Sequence, residues 1–286
     1  MSTQAATTVL RDRALQGLDR LPPFPPVLNR LLTAVARDEV SLADLAILIE
    51  SDAVLTGNVL RAVNSALNGA GGAVSAVGHA VAILGVGRLR NLALSLSIAR
   101  MCTQVRTPEA WSNAKFSAHS LAAGILSDLI AQGSAAPYPE GAFVAGLLHD
   151  IGKLLIATVL PAEFAGIQKM LQQGERTELE CETQTIGTSH ADLSGLALKR
   201  WNLPLPIQQS AAFHHLPDRA DEGRLHLSHV VCAADRLAND CGHTTGYYFE
   251  PCGPVGSAWE ALNLNERMPG ILEEFRDEFE TMKAFL

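Results

Sequence analysis

GLLHDIGKLLIA, residues 146–157, is an apolar run interrupted by three polar side chains, His149, Asp150 and Lys153. A run of this kind is typical of a buried helix, in which a charged group without a partner strongly destabilises the fold. The three side chains therefore require a metal ion, a set of salt bridges or a water-filled cleft. The residues of this stretch alone leave these three options open.

The sequence on both sides of this run has the periodicity of helices. Apolar residues recur at helical spacing almost without interruption, and the alternating pattern of strands is nearly absent, which predicts an all-α protein. LPPFPPV at 21–27 is expected to be extended, and Pro108 begins a second half. The predicted organisation is an N-terminal segment (1–20), an N-terminal helical lobe (21–107), a helical bundle (108–242), and a C-terminal loop with an amphipathic helix (243–286).

Composition and charge restrict the class of protein. With 286 residues, 48% of them apolar, the chain can bury a substantial core. Its net charge of −8 argues against a protein that grips nucleic acid or an anionic membrane surface. No basic segment precedes an apolar core at the N-terminus, and no apolar run reaches about 18 residues without a charge. Five cysteines without a CxxC pair predict reduced thiols in a cytoplasmic protein.

Histidines and carboxylates recur on successive predicted helices of the second half. Imidazole and carboxylate are ligands that first-row transition metals prefer. The candidate metal ligands are His119, His149, Asp150, His190, His214, His215 and Asp235. They predict a site for one or two divalent ions such as iron, manganese or zinc.

The HD pair within the opening run indicates how two ions could be held. One helix is predicted over PEGAFVAGLLHDIGKLLIATVL, residues 139–160. Neighbouring residues of an undistorted helix point about 100° apart, so His149 and Asp150 can hardly face one metal, but Asp150 could bridge two. Lys153 lies one turn beyond His149, where its ammonium could meet a phosphate oxygen. Asp150 and Lys153 are therefore the candidate catalytic residues.

Some of these positions also have structural explanations. His149 and Asp150 could be satisfied by neighbouring groups within the bundle, and His215, at a predicted helix end, could be solvated. Because matching residues lie on several other helices, we expect metal binding at His149 and Asp150.

The role of Asp235, the last candidate ligand in the sequence, has alternatives. Asp235 could pair with Arg236, its neighbour in the sequence. His226 and His229, at positions i and i+3, could replace Asp235 in the site, but we expect these two histidines to form a surface pair.

Strings along most of the chain resemble one family. LPPFPPVLNRLL (21–32), IESDAVLTGNVLRAVNSA (49–66) and AVAILGVGRLRNLAL (80–94) are followed by AHSLAA, FVAGLLHDIGKLL, HADLSGLALKRWNLP and FHHLP. HDIGK resembles the most recognisable string of the HD superfamily of metal-dependent phosphohydrolases, and the whole order resembles the HDOD family over residues 18–240. This resemblance implies a bacterial signalling or regulatory module, with an N-terminal helical lobe packed on an HD-domain-like bundle. It implies contacts with signalling proteins and no generally established catalytic activity.

A related branch, HD-GYP, hydrolyses cyclic dinucleotides at a two- or three-metal site with the same order of ligands. The chain departs from that branch at two places. Lys115 stands where those enzymes have a ligand glutamate, and LPDRADEG follows His215 in place of the substrate loop that ends in GYP. A lysine at position 115 would repel a further cation, so a third ion is not expected.

Three functions stay open at this point. Regulation through protein or ligand contacts, with a metal in the HD-type site, is the interpretation that the resemblance favours. The alternative is an active metal-dependent phosphohydrolase on nucleotides or cyclic dinucleotides, in which Asp150 holds the ions and Lys153 steadies the phosphate. The third is a scaffold without metal. A nucleotide or other phosphate ligand and a homodimer also stay open, whereas nucleic acid and membrane are not expected partners.

Two further patterns each suggest an interaction surface. Residues 41–64 have the pattern of two helices joined by a short turn, as in a helix-turn-helix DNA-binding unit. The second of these helices offers only Arg61 as a cation, which favours packing in a bundle over DNA binding. The C-terminal helix has one apolar stripe, formed by Leu272, Phe275, Phe279, Met282 and Leu286. This stripe covers about two heptads, which is short for a coiled-coil dimer, so we expect it to pack on the body of the protein.

Overall fold

The structure, a computed structural model, describes residues 3–35, 42–66, 73–245 and 256–283. Within these ranges every regular element is helical and there is no strand, which confirms the all-α prediction. The α-helices in chain order are α1 (Thr3–Gly17), α2 (Pro26–Val35), α3 (Leu42–Glu50), α4 (Ala53–Ala66), α5 (Val77–Thr103), α6 (Asn113–Gln132), α7 (Ala142–Leu148), α8 (Ile151–Val159), α9 (Pro161–Gln172), α10 (Glu178–Ile186), α11 (His190–Arg200), α12 (Leu205–Phe213), α13 (Leu227–Asp240), α14 (Gly256–Ala261) and α15 (Met268–Lys283). Short 3-10 helices lie at Leu18–Arg20, Pro139–Gly141 and Pro217–Arg219.

The chain forms two compact units, and each is built from segments that are distant in sequence. The large unit comprises Met1–Pro22 and Val105–Ile271. The small unit comprises Pro23–Gln104 and Leu272–Leu286. Helix α1 therefore belongs with the helices of the second half, where it contacts α8 and α10. Most of α15 belongs with α2 to α5.

The core of the large unit lies between helices that approach closely. Helix α6 contacts α7 and α13, and α11 contacts α8 and α12. Two of these contacts need glycine: a Cβ atom on Gly146 would collide with the carbonyl of Ala123, and one on Gly152 would collide with the carbonyl of His190. The short separation of the backbones brings polar side chains of facing helices within reach of one another.

The predicted single helix over 139–160 is wrong, because the chain breaks in the middle of it. Helix α7 ends at Leu148, α8 begins at Ile151, and Asp150 between them has φ −101° and ψ 10°. The amide of Lys153 donates to the carbonyl of Asp150 at 2.9 Å, in the tight turn that starts α8. This break allows His149 and Asp150 to face the same region, which an undistorted helix would prevent.

The small unit covers the apolar stripe of the C-terminal helix. Phe275, Phe279 and Met282 are buried, and Leu272 is half-buried. Leu286, the last member of the predicted stripe, lies outside the described residues. The stripe is therefore buried within the chain, as the packing interpretation predicted.

In the described part of the chain, two stretches are long and apolar enough to cross a membrane by length and composition: Val77–Thr103, and Pro139–Val159, which includes the break between α7 and α8. The apolar window of Pro139–Val159 is 94% buried inside the structure, and that of Val77–Thr103 is 56% buried. Core helices have the same length and composition, so these segments are weak evidence for a membrane span.

Candidate metal centre

The structure brings all of the predicted ligands together in the large unit, in a group that we call the His–Asp cluster. Helix α6 contributes His119, and the break between α7 and α8 contributes His149 and Asp150. Helix α11 begins with His190, the end of α12 is followed by His214 and His215, and α13 contributes Asp235. Residues from six helices and the turns between them therefore meet in one place.

Asp150 lies at the centre of the cluster. Its Oδ2 atom is 3.5 Å from Nε2 of His119 and 3.5 Å from Nε2 of His149. Its Oδ1 atom is 3.3 Å from Nε2 of His190 and 3.7 Å from Nε2 of His214. One carboxylate oxygen thus faces each half of the cluster, which is the arrangement that a bridging ligand requires.

The first half of the cluster contains His119, His149 and Asp235. The Oδ1 atom of Asp235 lies 3.2 Å from Nε2 of His119 and 3.6 Å from Nε2 of His149. Asn239, one turn later on α13, donates to the same oxygen at 2.9 Å. This hydrogen bond fixes the carboxylate of Asp235 toward the two histidines.

The second half of the cluster contains His190, His214 and His215. The Nε2 atoms of His190 and His215 are 2.9 Å apart, and the ring centres of His214 and His215 are 4.0 Å apart. One potential ligand atom from each of these three residues lies within 4.8 Å of the others. Three imidazoles at this separation are a common ligand set for a first-row metal.

Backbone carbonyls fix the orientation of three of the imidazoles. Nδ1 of His119 donates to the carbonyl of His243, Nδ1 of His149 to that of Gly146, and Nδ1 of His214 to that of Ala211, each at 2.7 Å. A carbonyl oxygen only accepts, so Nδ1 carries the proton in each case. The Nε2 atom of each ring is then directed into the cluster, as in metal-ligating histidines.

The centre of the cluster contains polar atoms without adequate partners. Within the described residues, both oxygens of Asp150 and the Nε2 atom of His214 have no hydrogen bond of acceptable geometry. The Nε2 atoms of His119 and His149 face each other at 3.4 Å. Buried atoms of this kind destabilise a fold unless a proton or another cation lies between them. The residues present therefore fit a divalent metal ion.

The electrostatics of the first half place a proton where a metal would bind. Burial disfavours the charged form of His119, but Asp150 and Asp235 outweigh it and raise its pKa to about 10. Burial would raise the pKa of Asp150, but His149 and Lys153 hold it well below its usual range. In the absence of a metal, the imidazolium of His119 thus neutralises part of the negative charge.

The second half divides into one basic and two non-basic histidines. Burial disfavours the charged form of His190, but Glu182 outweighs it and raises its pKa to about 9. Burial and the nearby charge of His190 lower the pKa of His215 to about 4. Burial and the neighbouring His215 and His149 hold the pKa of His214 well below its usual range. His214 and His215 are therefore neutral at pH 7 and can donate lone pairs to a metal.

The third polar residue of the opening run, Lys153, has ion-pair partners. Its Nζ atom lies 2.8 Å from Oδ2 of Asp150 and 3.0 Å from Oε2 of Glu178. Burial would lower the pKa of Lys153, but these two carboxylates raise it well above its usual range. Salt bridges thus satisfy Lys153, and its ammonium shares the Asp150 oxygen that faces His119 and His149.

Sequence reasoning did not identify Glu178 and Glu182 on α10. Glu182 is 2% exposed, and its Oε2 atom accepts hydrogen bonds from Nδ1 and from the backbone amide of His190. The available signal was the i, i+4 spacing of two carboxylates in TELECETQ, which places both on one face of a helix. Helix α10 carries no histidine, so the combination of imidazole with carboxylate is missing from its own sequence.

The expectation that His226 and His229 form a surface pair is wrong, because both residues are buried at the start of α13. Nδ1 of His229 accepts from the backbone amide of His226 at 3.1 Å, and Nδ1 of His226 accepts from the amide of Ser228 at 3.1 Å. These histidines satisfy backbone donors of the first turn, in the way that capping residues do. Arg236, the proposed partner of Asp235, pairs with Asp240 at 3.1 Å.

A known protein is similar in sequence to most of this chain. An "Uncharacterized protein" of Treponema pallidum (strain Nichols) is 27% identical over 233 residues, which cover 80% of this chain. They cover 44% of the relative, so the chain spans less than half of that protein's length.

Solved structures share the fold over almost the whole chain. An HDOD domain protein from Geobacter sulfurreducens has a TM-score of 0.78 at 24% identity, covering 98% of this chain and 97% of that one. A protein of Shewanella amazonensis SB2B named "Putative phosphohydrolase" has a TM-score of 0.72 at 23% identity, covering 96% and 98%. The sequence profile of the HDOD domain matches residues 21–217, well over half of the sequence. The chain therefore belongs to the HDOD domain family.

Proposed function

We propose that this HDOD protein is a signal-transduction regulator whose His–Asp cluster binds one or two divalent metal ions. The observation that carries the proposal is the set of imidazole nitrogens that face the carboxylate of Asp150 from both halves of the cluster. Iron, manganese and zinc are the candidate ions, because imidazole combined with carboxylate suits all three. Signalling proteins are the proposed partners.

The burial of the cluster favours regulation over turnover. The side chains of His149, His190 and His214 are 0% exposed, and those of His119 and Asp150 are 1% exposed. A catalytic metal site keeps one ligand position open for water or substrate, and the depth of these side chains restricts access to such a position. A nucleotide could reach these ligands only after part of the large unit had moved. A metal here would hold the bundle in the conformation that a partner protein recognises.

A second candidate function is hydrolysis of a phosphoester, and the central position of Asp150 favours it. A bound divalent metal would supply an activated water and polarise the phosphoryl oxygen. In that case Asp150 would hold the ions through its two oxygens, and Lys153 would leave one of its carboxylate partners to steady the phosphate. The name of the Shewanella amazonensis relative agrees with this candidate.

The metal content of the untagged protein, purified without added metal, tests the proposal. We expect about one to two equivalents of metal by elemental analysis. The Asp150→Ala variant should lose this metal while keeping its helical circular dichroism. Asp240→Ala is the matched control, because Asp240 is on α13 and pairs with Arg236 outside the cluster.

Two outcomes would contradict these functions separately. Wild-type protein without metal, even after supplementation, would overturn the metal-binding proposal and favour a scaffold. Metal-loaded protein that turns over neither nucleotides nor cyclic dinucleotides would overturn the hydrolase candidate alone.

A further inference from the structure

Helix α10 presents two carboxylates to the His–Asp cluster. Glu178 and Glu182 are one turn apart on α10, and a capping box of Thr177 and Glu180 fixes the start of this helix. Glu178 reaches Lys153, and Glu182 reaches His190. Glu182 therefore contacts the second half of the cluster directly, and Glu178 pairs with the lysine that also contacts Asp150.

Two donors of His190 form hydrogen bonds with one carboxylate oxygen of Glu182. Oε2 of Glu182 accepts from Nδ1 of His190 at 2.8 Å and from its backbone amide at 2.7 Å. Both residues are buried, at 2% and 0% exposure. Two hydrogen bonds to one oxygen fix the imidazole relative to its own backbone, so the ring has little freedom to turn.

This contact distinguishes His190 from the other histidines of the cluster. His119, His149 and His214 donate Nδ1–H to neutral carbonyls, whereas His190 donates to a carboxylate. A carboxylate behind an imidazole makes the opposite nitrogen a stronger metal ligand than a carbonyl does. The opposite nitrogen of His190 faces Oδ1 of Asp150 at 3.3 Å.

We infer that Glu182 is the positioning residue for His190, and that it gives the second half of the cluster its metal affinity. The inference rests on the proposed metal-binding function. The Oε2 atom of Glu182 accepts from two donors of His190, so Glu182 reaches the cluster through that residue. It acts through the orientation and basicity of the His190 ring.

A third metal site on α10 explains the same residues less well. One ligand atom each from Glu178, Glu182 and His190 lie within 4.8 Å of one another. However, the ammonium of Lys153 lies 3.0 Å from Glu178, and Nδ1 of His190 lies 2.8 Å from Glu182. Positive or hydrogen-bonding groups thus already satisfy these carboxylates, and no unpartnered atom of this trio is found in the described part of the chain.

The full chain with Glu182→Ala or Glu182→Gln tests the inference, with Glu180→Gln as the control. Glu180 is an exposed residue of the same helix, and glutamine keeps its capping role. Titration calorimetry with manganese(II) or zinc(II) should show that Glu182→Ala weakens one binding event by about 10- to 100-fold and leaves the other unchanged. Glu182→Gln keeps an acceptor for Nδ1–H without the charge, so its loss should be smaller.

A second measurement separates this inference from the proposed function. In metal-free wild-type protein, the Nδ1 proton of His190 should give a strongly deshielded NMR resonance, because it is hydrogen-bonded to a buried carboxylate. This resonance should disappear in Glu182→Ala and move upfield in Glu182→Gln.

Wild-type metal affinity in both Glu182 variants, or an unchanged His190 resonance, would overturn the inference. If Glu182→Ala does not fold, the metal affinity and the His190 resonance of Glu182→Gln test the inference. If the wild type binds no metal, the proposed function fails and so does the affinity part of the inference. The NMR result then still decides whether Glu182 positions His190.

Discussion

At the scale of single residues, a metal ion in the His–Asp cluster would compete with protons for the same nitrogen atoms. His119 and His190 have pKa values raised to about 10 and about 9, so both are protonated in the metal-free protein at pH 7. His214 and His215, whose pKa values are lowered, are neutral at the same pH. In the metal-free protein, the two bound protons offset part of the negative charge of the cluster.

Metal binding should therefore release protons and strengthen as the pH rises. A ligand nitrogen must lose its proton to bind a metal, and the pKa values of His119 and His190 lie above neutral pH. We expect release of up to about two protons per cluster at pH 7, and increasing apparent affinity from about pH 6 to about pH 9. Calorimetry in buffers of different ionisation enthalpy measures this number. Affinity that does not change over this pH range would contradict the assignment.

At the scale of the helix, the site depends on the break between α7 and α8. An apolar run of this periodicity predicts a continuous helix, but such a helix would direct His149 and Asp150 about 100° apart. The turn at Asp150 ends one helix and starts the next, and Gly152 then allows α8 to lie against the backbone of α11. The site therefore requires both an irregular backbone and a residue without a side chain.

Gly152→Ala should destabilise the protein and disturb the metal site. The new Cβ atom would meet the carbonyl of His190, which belongs to the backbone and cannot rotate away. We expect a loss of about 1–3 kcal/mol in the free energy of unfolding, measured with urea, together with weaker metal binding.

The matched control for this change is Gly166→Ala, on α9. A Cβ atom at Gly166 meets nothing within 4 Å, so the substitution should be neutral or stabilise the helix by up to about 1 kcal/mol. Equal stability of the two variants would show that α8 and α11 do not need this close contact.

At the scale of the whole molecule, the candidate metal ligands are confined to one compact unit. All members of the His–Asp cluster lie between Val105 and Ile271, within the large unit. The small unit contributes none of the predicted ligands. A metal bound to the cluster therefore stabilises the native state of the large unit directly.

Hydrogen exchange should show this confinement. At a metal concentration 100 times the dissociation constant, binding stabilises the native state by about 2.7 kcal/mol. We expect slower amide exchange in α6, α8, α11 and α13 on metal addition, and little change in α3 and α4. The Asp150→Ala variant should show no such protection. An equal slowing of exchange in both units would contradict a metal effect that acts first on the large unit.

The sequence by itself determined the helical class, and it predicted which histidines and aspartates meet in the His–Asp cluster. Helical class follows from local periodicity, because the apolar spacing of a helix is set by its own geometry. The members of the cluster could be selected because histidine and aspartate are rare in apolar helices without a function or a partner. His119 and Asp235 could thus be chosen although they are far apart in the chain.

Only the tertiary structure decided how these residues are held. The break at His149 and Asp150, the ion pairs of Lys153 and the support of His190 by Glu182 each depend on a neighbouring helix or turn. Tertiary structure also decided that α1 belongs with the helices of the second half, and that most of α15 belongs with the helices of the first half. Contacts between distant segments depend on how helices pack against one another, and local periodicity does not specify that packing.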